Sequence, residues 1–109
     1  MISIEELIDP IKSYNPKADL AAISKAYEYG LIAHEGQFRA SGDPYFMHPI
    51  EVARIVVELK LDEATIKTAL LHDTVEDTNS SLSHIKVKFG SEVAQLVDGV
   101  TKLTNLQLS

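Results

Sequence analysis

The sequence predicts an all-α fold in a single domain. Hydrophobic residues make up 45% of the 109 residues and recur at the three- and four-residue intervals of amphipathic helices. No stretch of alternating polar and apolar residues is long enough to indicate a β-sheet. A chain of this length can bury about 65% of its unfolded surface, which is enough for one core without disulfide support.

The first two helices are predicted over residues 3–14 and 17–35. Ser3 and Glu6 have the spacing of a capping box, and Pro10 should kink or end the first helix. The second helix should turn one stripe inward, and Gly36 should follow its end. This stripe contains Ile23, Tyr27, Gly30 and His34. Glycine costs about 1 kcal/mol relative to alanine inside a helix, so we expect Gly30 to mark close packing.

A third helix is predicted over residues 46–60 and should be largely buried, because most of its residues outside one polar stripe are apolar. His48 shares a face of this helix with Val52, Ile55 and Leu59. Asp62 can cap a fourth helix over residues 63–73. Residues 74–81 have the composition of a loop, and two further helices are expected over residues 81–89 and from Ser91 toward residue 103. Residues 104–109 contain no stop signal.

The composition excludes several classes of function. The net charge of −6 lacks the basic footprint of a nucleic-acid-binding protein, and no segment is apolar for the length of a membrane helix. The sequence contains no cysteine, which excludes disulfides, thiolate nucleophiles and cysteine-based zinc sites. We therefore expect a cytoplasmic protein with neither nucleic acid nor membrane as a partner.

Three ionisable residues on apolar faces suggest a metal site. His48 lies on the third helix, and the adjacent pair His72 and Asp73 ends the fourth. A buried lone carboxylate costs several kcal/mol unless a cation or donors compensate it. Imidazole together with carboxylate suits manganese, iron or zinc. The alternative is that the histidines are ordinary core residues and that Asp73 terminates its helix.

Other polar residues flank these three in the chain. Glu76 and Asp77 could assist hydrolysis as carboxylates beside an activated water, or could form a solvated acidic loop. Arg39 and Ser41 could bind phosphate, or could belong to an ordinary surface loop. Three aromatic residues near that loop could stack on a base, although at least two of them are expected in the core. They are Phe38, Tyr45 and Phe46.

Longer motifs resemble the RelA/SpoT family. Residues 34–50, HEGQFRASGDPYFMHPI, are similar to the opening motif of its hydrolase domains, and residues 69–78, ALLHDTVEDT, resemble its HD motif. The pair Phe89–Gly90 and residues 97–103, VDGVTKL, resemble the segment that follows. The similarity covers residues 29–103, most of the chain, and the ordered set of motifs is far more specific than the His-Asp pair alone.

This resemblance implies a helical HD-domain bundle that holds manganese. It also implies hydrolysis of the 3′-pyrophosphate of guanosine tetra- or pentaphosphate to GDP or GTP and pyrophosphate. The resemblance assigns three sets of residues: metal ligands (His48, His72 and Asp73), residues that orient or deprotonate the attacking water (Glu76 and Asp77), and residues that hold the nucleotide (Arg39 and Ser41). His34 would support the site without contacting the metal.

Two departures from the family pattern weaken this expectation. Ala40 stands where many relatives carry a basic residue, which removes one phosphate contact. The family's last metal ligand is an aspartate in a later segment that this sequence lacks, and Asp98 does not replace it by motif. We therefore expect a domain truncated at its C-terminus, whose exposed apolar surface could pair with a second copy. The alternative to an enzyme is a weak or inactive fragment that acts as a nucleotide-binding or interaction module.

Overall fold

The computed structural model describes the backbone of residues 1–108 and the side chains of residues 1–103, and its only secondary structure beyond turns is helical apart from one isolated bridge. The all-α prediction is therefore confirmed. The helices are α1 (Ile4–Ile8), α2 (Ile11–Tyr14), α3 (Leu20–Ala33), α4 (Met47–Glu58), α5 (Glu63–Leu71), α6 (Thr74–Asp77), α7 (Leu82–Phe89) and α8 (Ser91–Leu108). No helix in residues 1–108 has both the length and the hydrophobicity needed to cross a membrane.

Helix α5 forms the centre of the domain, because it packs against α3, α4 and α8. Helix α7 packs on α8, and the short α1 closes the core against α3 and α4. Six representative aliphatic side chains, each at most 1% exposed, mark the core. They are Ile11, Ile23, Ile50, Ile66, Leu70 and Val97. The buried residues of α3 include Ile23, Tyr27 and Gly30 of the predicted inward stripe, and His34 at the end of that helix is also buried.

Four of the helices, α1, α3, α5 and α7, begin at a residue whose side chain caps them. The Ser3–Glu6 capping box is present, and Pro10 separates α1 from α2, as predicted. The side chain of Asp62 accepts a hydrogen bond from the amide of Thr65 at the start of α5. The side chain of Ser81 caps α7 in the same way. These caps satisfy amide groups that have no partner within their helix.

The predicted close packing at Gly30 is confirmed. An added Cβ at this position would lie 2.3 Å from Cε1 of Phe46 and 2.9 Å from the carbonyl oxygen of Leu70. Only glycine therefore lets α3 approach both the Phe46 ring and α5 this closely. Phe46, which is 2% exposed, also meets the ring of Tyr27 edge-on at a centroid distance of 5.5 Å. This contact fixes the residue that immediately precedes α4.

Two sequence predictions were wrong. Helix α4 is not largely buried: it turns Ile50, Ala53 and Val57 into the core, whereas Ile55 and Leu59 are 48% and 64% exposed. The cause is that α4 packs against α5 and α1 with one face only. The second error concerns residues 74–77, which form the helical turn α6 instead of a loop.

Candidate metal centre

Three predicted ligand residues meet at one end of the α4–α5 pair. His48 lies in the first turn of α4, His72 is the residue at which α5 ends, and Asp73 precedes α6. A short connection joins α4 to α5 and the two helices pack together, so the start of one lies beside the end of the other. One ligand atom from each residue lies within 4.8 Å of the other two, and all three side chains are half-buried.

The hydrogen bond of His72 determines which of its nitrogens can bind a cation. Nδ1 lies 2.7 Å from the carbonyl oxygen of Ala69, which can only accept, so Nδ1 carries the proton. In the neutral ring Nε2 then presents a lone pair, and it lies 3.2 Å from Oδ1 of Asp73. Two ligand atoms bound to one metal at about 2.1 Å are separated by about 3.0–3.4 Å. The pair therefore has the spacing of adjacent ligands around a divalent cation, and these residues fit one.

Tyr45 links the predicted ligand Asp73 to the predicted catalytic carboxylate Asp77. Its hydroxyl donates to Oδ2 of Asp77 at 2.9 Å and to Oδ2 of Asp73 at 3.2 Å. Burial raises the pKa of Tyr45, and the hydrogen bond to Asp77 and the charge of Asp73 raise it further. The hydroxyl consequently keeps its proton near neutral pH and shares it between the two carboxylates.

A second chain of hydrogen bonds reaches Asp77 from α3. The amide nitrogen of Gln37 donates to the backbone carbonyl of Asp77 at 2.7 Å. The other end of the same amide, Oε1, lies 2.9 Å from Nδ1 of His34, so this histidine nitrogen must be the donor. His34 is 2% exposed, and its Nε2 is buried without a hydrogen-bond partner among the described residues. His34 also stacks beside Tyr45 at a ring-centroid distance of 4.8 Å.

The two predicted catalytic carboxylates differ in their surroundings. Glu76 is exposed and makes no hydrogen bond with any side chain in residues 1–103, whereas Asp77, although exposed, is bound through both its carboxylate and its carbonyl. Both residues belong to α6, which is a single helical turn and ends where Thr78 becomes extended. The acidic segment is therefore tied to the predicted metal ligands through Asp77 and not through Glu76.

The structure does not bring the predicted nucleotide-binding residues into contact with this cluster. Arg39 and Ser41 are exposed on a tight excursion between residues 38 and 44, whose ends form an isolated bridge. The hydroxyl of Ser41 donates to Asp43 at 3.1 Å, and Gly42 adopts a φ of 92°, which favours glycine. Their role in binding nucleotide stays a prediction.

The three aromatic residues near this loop have different environments. Phe38 is 65% exposed, Phe46 is in the core, and Tyr45 is half-buried beside the carboxylates. Sequence reasoning treated Tyr45 only as a stacking or core residue and did not single out Gln37. No periodic pattern marks either residue, because their partners lie 28 to 40 positions away in the chain.

Comparison with known proteins assigns the fold. Residues 26–109 match a family model described as an HD domain. The chain belongs to the HD domain family. His72 and Asp73 of this HD domain both lie in the candidate metal centre.

Curated relatives confirm the resemblance of this HD domain to RelA/SpoT proteins. A GTP pyrophosphokinase of Myxococcus xanthus is 56% identical over 91% of the chain, and the GTP pyrophosphokinase rsh of Brucella melitensis is 50% identical over 94%. A guanosine-3′,5′-bis(diphosphate) 3′-pyrophosphohydrolase of Vibrio cholerae is 43% identical over 98%. The chain spans only 13%, 14% and 15% of the length of these three relatives.

Proposed function

We propose that this HD domain hydrolyses guanosine tetra- or pentaphosphate at the 3′-pyrophosphate, releasing pyrophosphate and GDP or GTP. The observation that carries the proposal is the convergence of His48, His72 and Asp73 beside Asp77. Relatives carry both kinase and hydrolase names. Imidazole and carboxylate ligands next to a further carboxylate are suited to activating water, which favours the hydrolase reaction.

Manganese is the cation that we propose for the cluster, through His48, His72 and Asp73. Such a cation would lower the pKa of a nearby water toward neutrality and withdraw charge from the phosphoryl oxygens. The chain's own residues would do the rest. Asp77 would orient the water, and Glu76, which makes no hydrogen bond with any side chain in residues 1–103, would accept its proton. Arg39 and Ser41 would hold the phosphates of the nucleotide from the exposed loop.

A hydrolysis assay tests this proposal. The chain is incubated with guanosine tetraphosphate and manganese, and released pyrophosphate is measured beside metal content by elemental analysis. We expect turnover in the wild type and its loss in His72→Ala and Asp73→Ala. His84→Ala is the matched control, since His84 is an exposed histidine of α7 whose ring nitrogen bonds Tyr29 and not the cluster.

The second candidate is a module that binds nucleotide or a partner chain without turnover. It is favoured by the cluster having three ligand residues within the part of the chain whose side chains are described, and by the exposed apolar side chains of Ile32, Phe38 and Leu59. Manganese bound without release of pyrophosphate would support this candidate. A folded chain that releases pyrophosphate at many turnovers per molecule would reject it.

A further inference from the structure

We propose that Tyr45 and Gln37 are positioning residues that fix Asp77 next to Asp73. This inference rests on the proposed function, since it assigns Asp77 a place beside the candidate metal centre. Tyr45 reaches the carboxylate, and Gln37 reaches the backbone carbonyl. Asp77 is therefore held at two separate atoms, and neither bond comes from its own helix.

The local structure explains why Asp77 needs outside support. Helix α6 has four residues, which is too short to be stable by itself. It also ends at Thr78, so nothing after Asp77 continues the helix. An exposed carboxylate on such a turn would sample several rotamers. The Tyr45 hydroxyl restricts them by placing the same proton between Asp77 and Asp73, at 2.9 and 3.2 Å.

The two supporting residues are themselves held. Gln37 can offer its amide nitrogen to Asp77 because its Oε1 is occupied by Nδ1 of His34. His34 is buried at the end of α3 and stacks on both Tyr45 and Phe46, at centroid distances of 4.8 and 6.1 Å. One buried ring thus orients both supports. Asp77 is therefore supported from the core through His34 and Gln37, in addition to the backbone hydrogen bond that its own amide donates to Asp73 at 3.0 Å.

Tyr45→Phe isolates the hydroxyl, because the phenyl ring can still stack on His34. A misplacement of about 1 Å in a catalytic group costs about 100-fold in rate, so we expect kcat to fall by about 10- to 100-fold. KM should change by less than about threefold, because the hydroxyl is already engaged by the two carboxylates. Gln37→Met, which keeps the length of the side chain but removes its amide, should act in the same direction.

Tyr14→Phe is the matched control. This tyrosine is also half-buried and donates a single hydrogen bond, to the carbonyl of Leu61 at 3.0 Å, but it contacts no residue of the cluster. Its kcat should equal that of the wild type. Manganese affinity, measured by electron paramagnetic resonance of the free ion, should stay within about threefold in Tyr45→Phe. A loss of affinity with an unchanged kcat at saturating manganese would show that Tyr45 serves Asp73 instead, and would overturn the assignment.

A double-mutant cycle makes the test independent of activity. Unfolding by urea is measured for Tyr45→Phe, Asp77→Ala, which removes the acceptor of the Tyr45 hydroxyl, and the double variant. If Tyr45 and Asp77 share a hydrogen bond to a charged group, the double variant should lower the folding equilibrium constant by about tenfold less than the product of the two single effects. If the wild type releases no pyrophosphate, the proposed function fails for this chain. The double-mutant cycle still tests whether Tyr45 positions Asp77, because it measures stability and not activity. Two results would overturn the positioning role of Tyr45 even if hydrolysis is observed. One is a double variant whose effect on the folding equilibrium constant equals the product of the single effects, and the other is a wild-type kcat in Tyr45→Phe.

Discussion

Gly30→Ala should destabilise the domain although alanine is the better helix former. Helix propensity alone favours the substitution by about 1 kcal/mol. The new methyl group, however, would lie 2.3 and 2.8 Å from two ring carbons of Phe46 and 2.9 Å from the backbone oxygen of Leu70. Overpacking of a core costs about 1–3 kcal/mol. The upper end of this range applies here, because the ring is buried and the oxygen belongs to a helix. Subtracting the gain in helix propensity of about 1 kcal/mol from an overpacking cost of about 3 kcal/mol leaves a net loss of about 2 kcal/mol.

Thermal and urea denaturation followed by circular dichroism measure this loss. For a domain of this size about 2 kcal/mol corresponds to a fall in Tm of about 8 °C. Gly99→Ala is the control, since Gly99 also lies inside a helix but an added Cβ there would have none of the described neighbouring atoms within 4 Å. It should gain up to about 1 kcal/mol. If both substitutions stabilise the domain alike, the steric argument for Gly30 is refuted.

Replacing the Phe46 ring with a smaller side chain provides a second test of the contact between positions 30 and 46. Phe46→Leu alone removes core packing and should be destabilising. In the Gly30→Ala background it also relieves the collision with the ring. The double variant should therefore lose less free energy of unfolding than the sum of the two single losses. Additive losses would show that the strain lies at the Leu70 carbonyl and not at the ring.

Three further perturbations test the site, the core and a helix cap. Manganese at 100 times its dissociation constant should raise the free energy of unfolding by about 2.7 kcal/mol, and His72→Ala should abolish that gain. Ile50→Ala should cost about 2–5 kcal/mol, whereas Ile55→Ala, at a position 48% exposed, should stay within about 0.5 kcal/mol in urea denaturation. Hydrogen bonds from the side chain and amide of Thr65 lower the pKa of Asp62 below 3.8. Its stabilising effect is therefore complete above pH 3.8 and lost as the pH falls through the lower folded-state pKa. Asp62→Asn should flatten this part of an acid-unfolding curve.

Each of these predictions has an outcome that contradicts it. A manganese-induced gain that survives His72→Ala would place the cation elsewhere on the chain. Equal losses for Ile50→Ala and Ile55→Ala would mean that α4 faces the core differently. An acid-unfolding curve that Asp62→Asn leaves unchanged would mean that the cap does not respond to the charge of this carboxylate.

Helix ends were largely predictable from the sequence, and the burial of α4 was not. Caps such as Ser3 and Asp62 act on amides three residues away, so the signal and its effect lie in the same short stretch. The face that α4 buries depends on where α5 and α1 pack. A helix with apolar residues around most of its circumference does not encode that choice, which explains the error at Ile55 and Leu59.

The candidate site also contains some residues that could be predicted from the sequence and others that could not. The three residues with metal-ligand chemistry could be named from the sequence, because a carboxylate or imidazole on an apolar helix face is conspicuous. The hydroxyl of Tyr45 and the amide of Gln37 carry no such signal, since their chemistry is common in loops. They became recognisable only when the fold brought them to acceptors 32 and 40 positions away.

The origin of the cluster in one helical hairpin also bears on the order of folding. His48 and His72 are 24 positions apart, at the outer ends of α4 and α5. Helices and short connections of this kind form in about a microsecond or less, before contacts between distant segments. The two imidazoles can therefore meet in an early hairpin, while the support that α3 gives to Asp77 arrives later. A cation present during refolding should accelerate hairpin formation and slow amide exchange in α4 and α5 more than in α7.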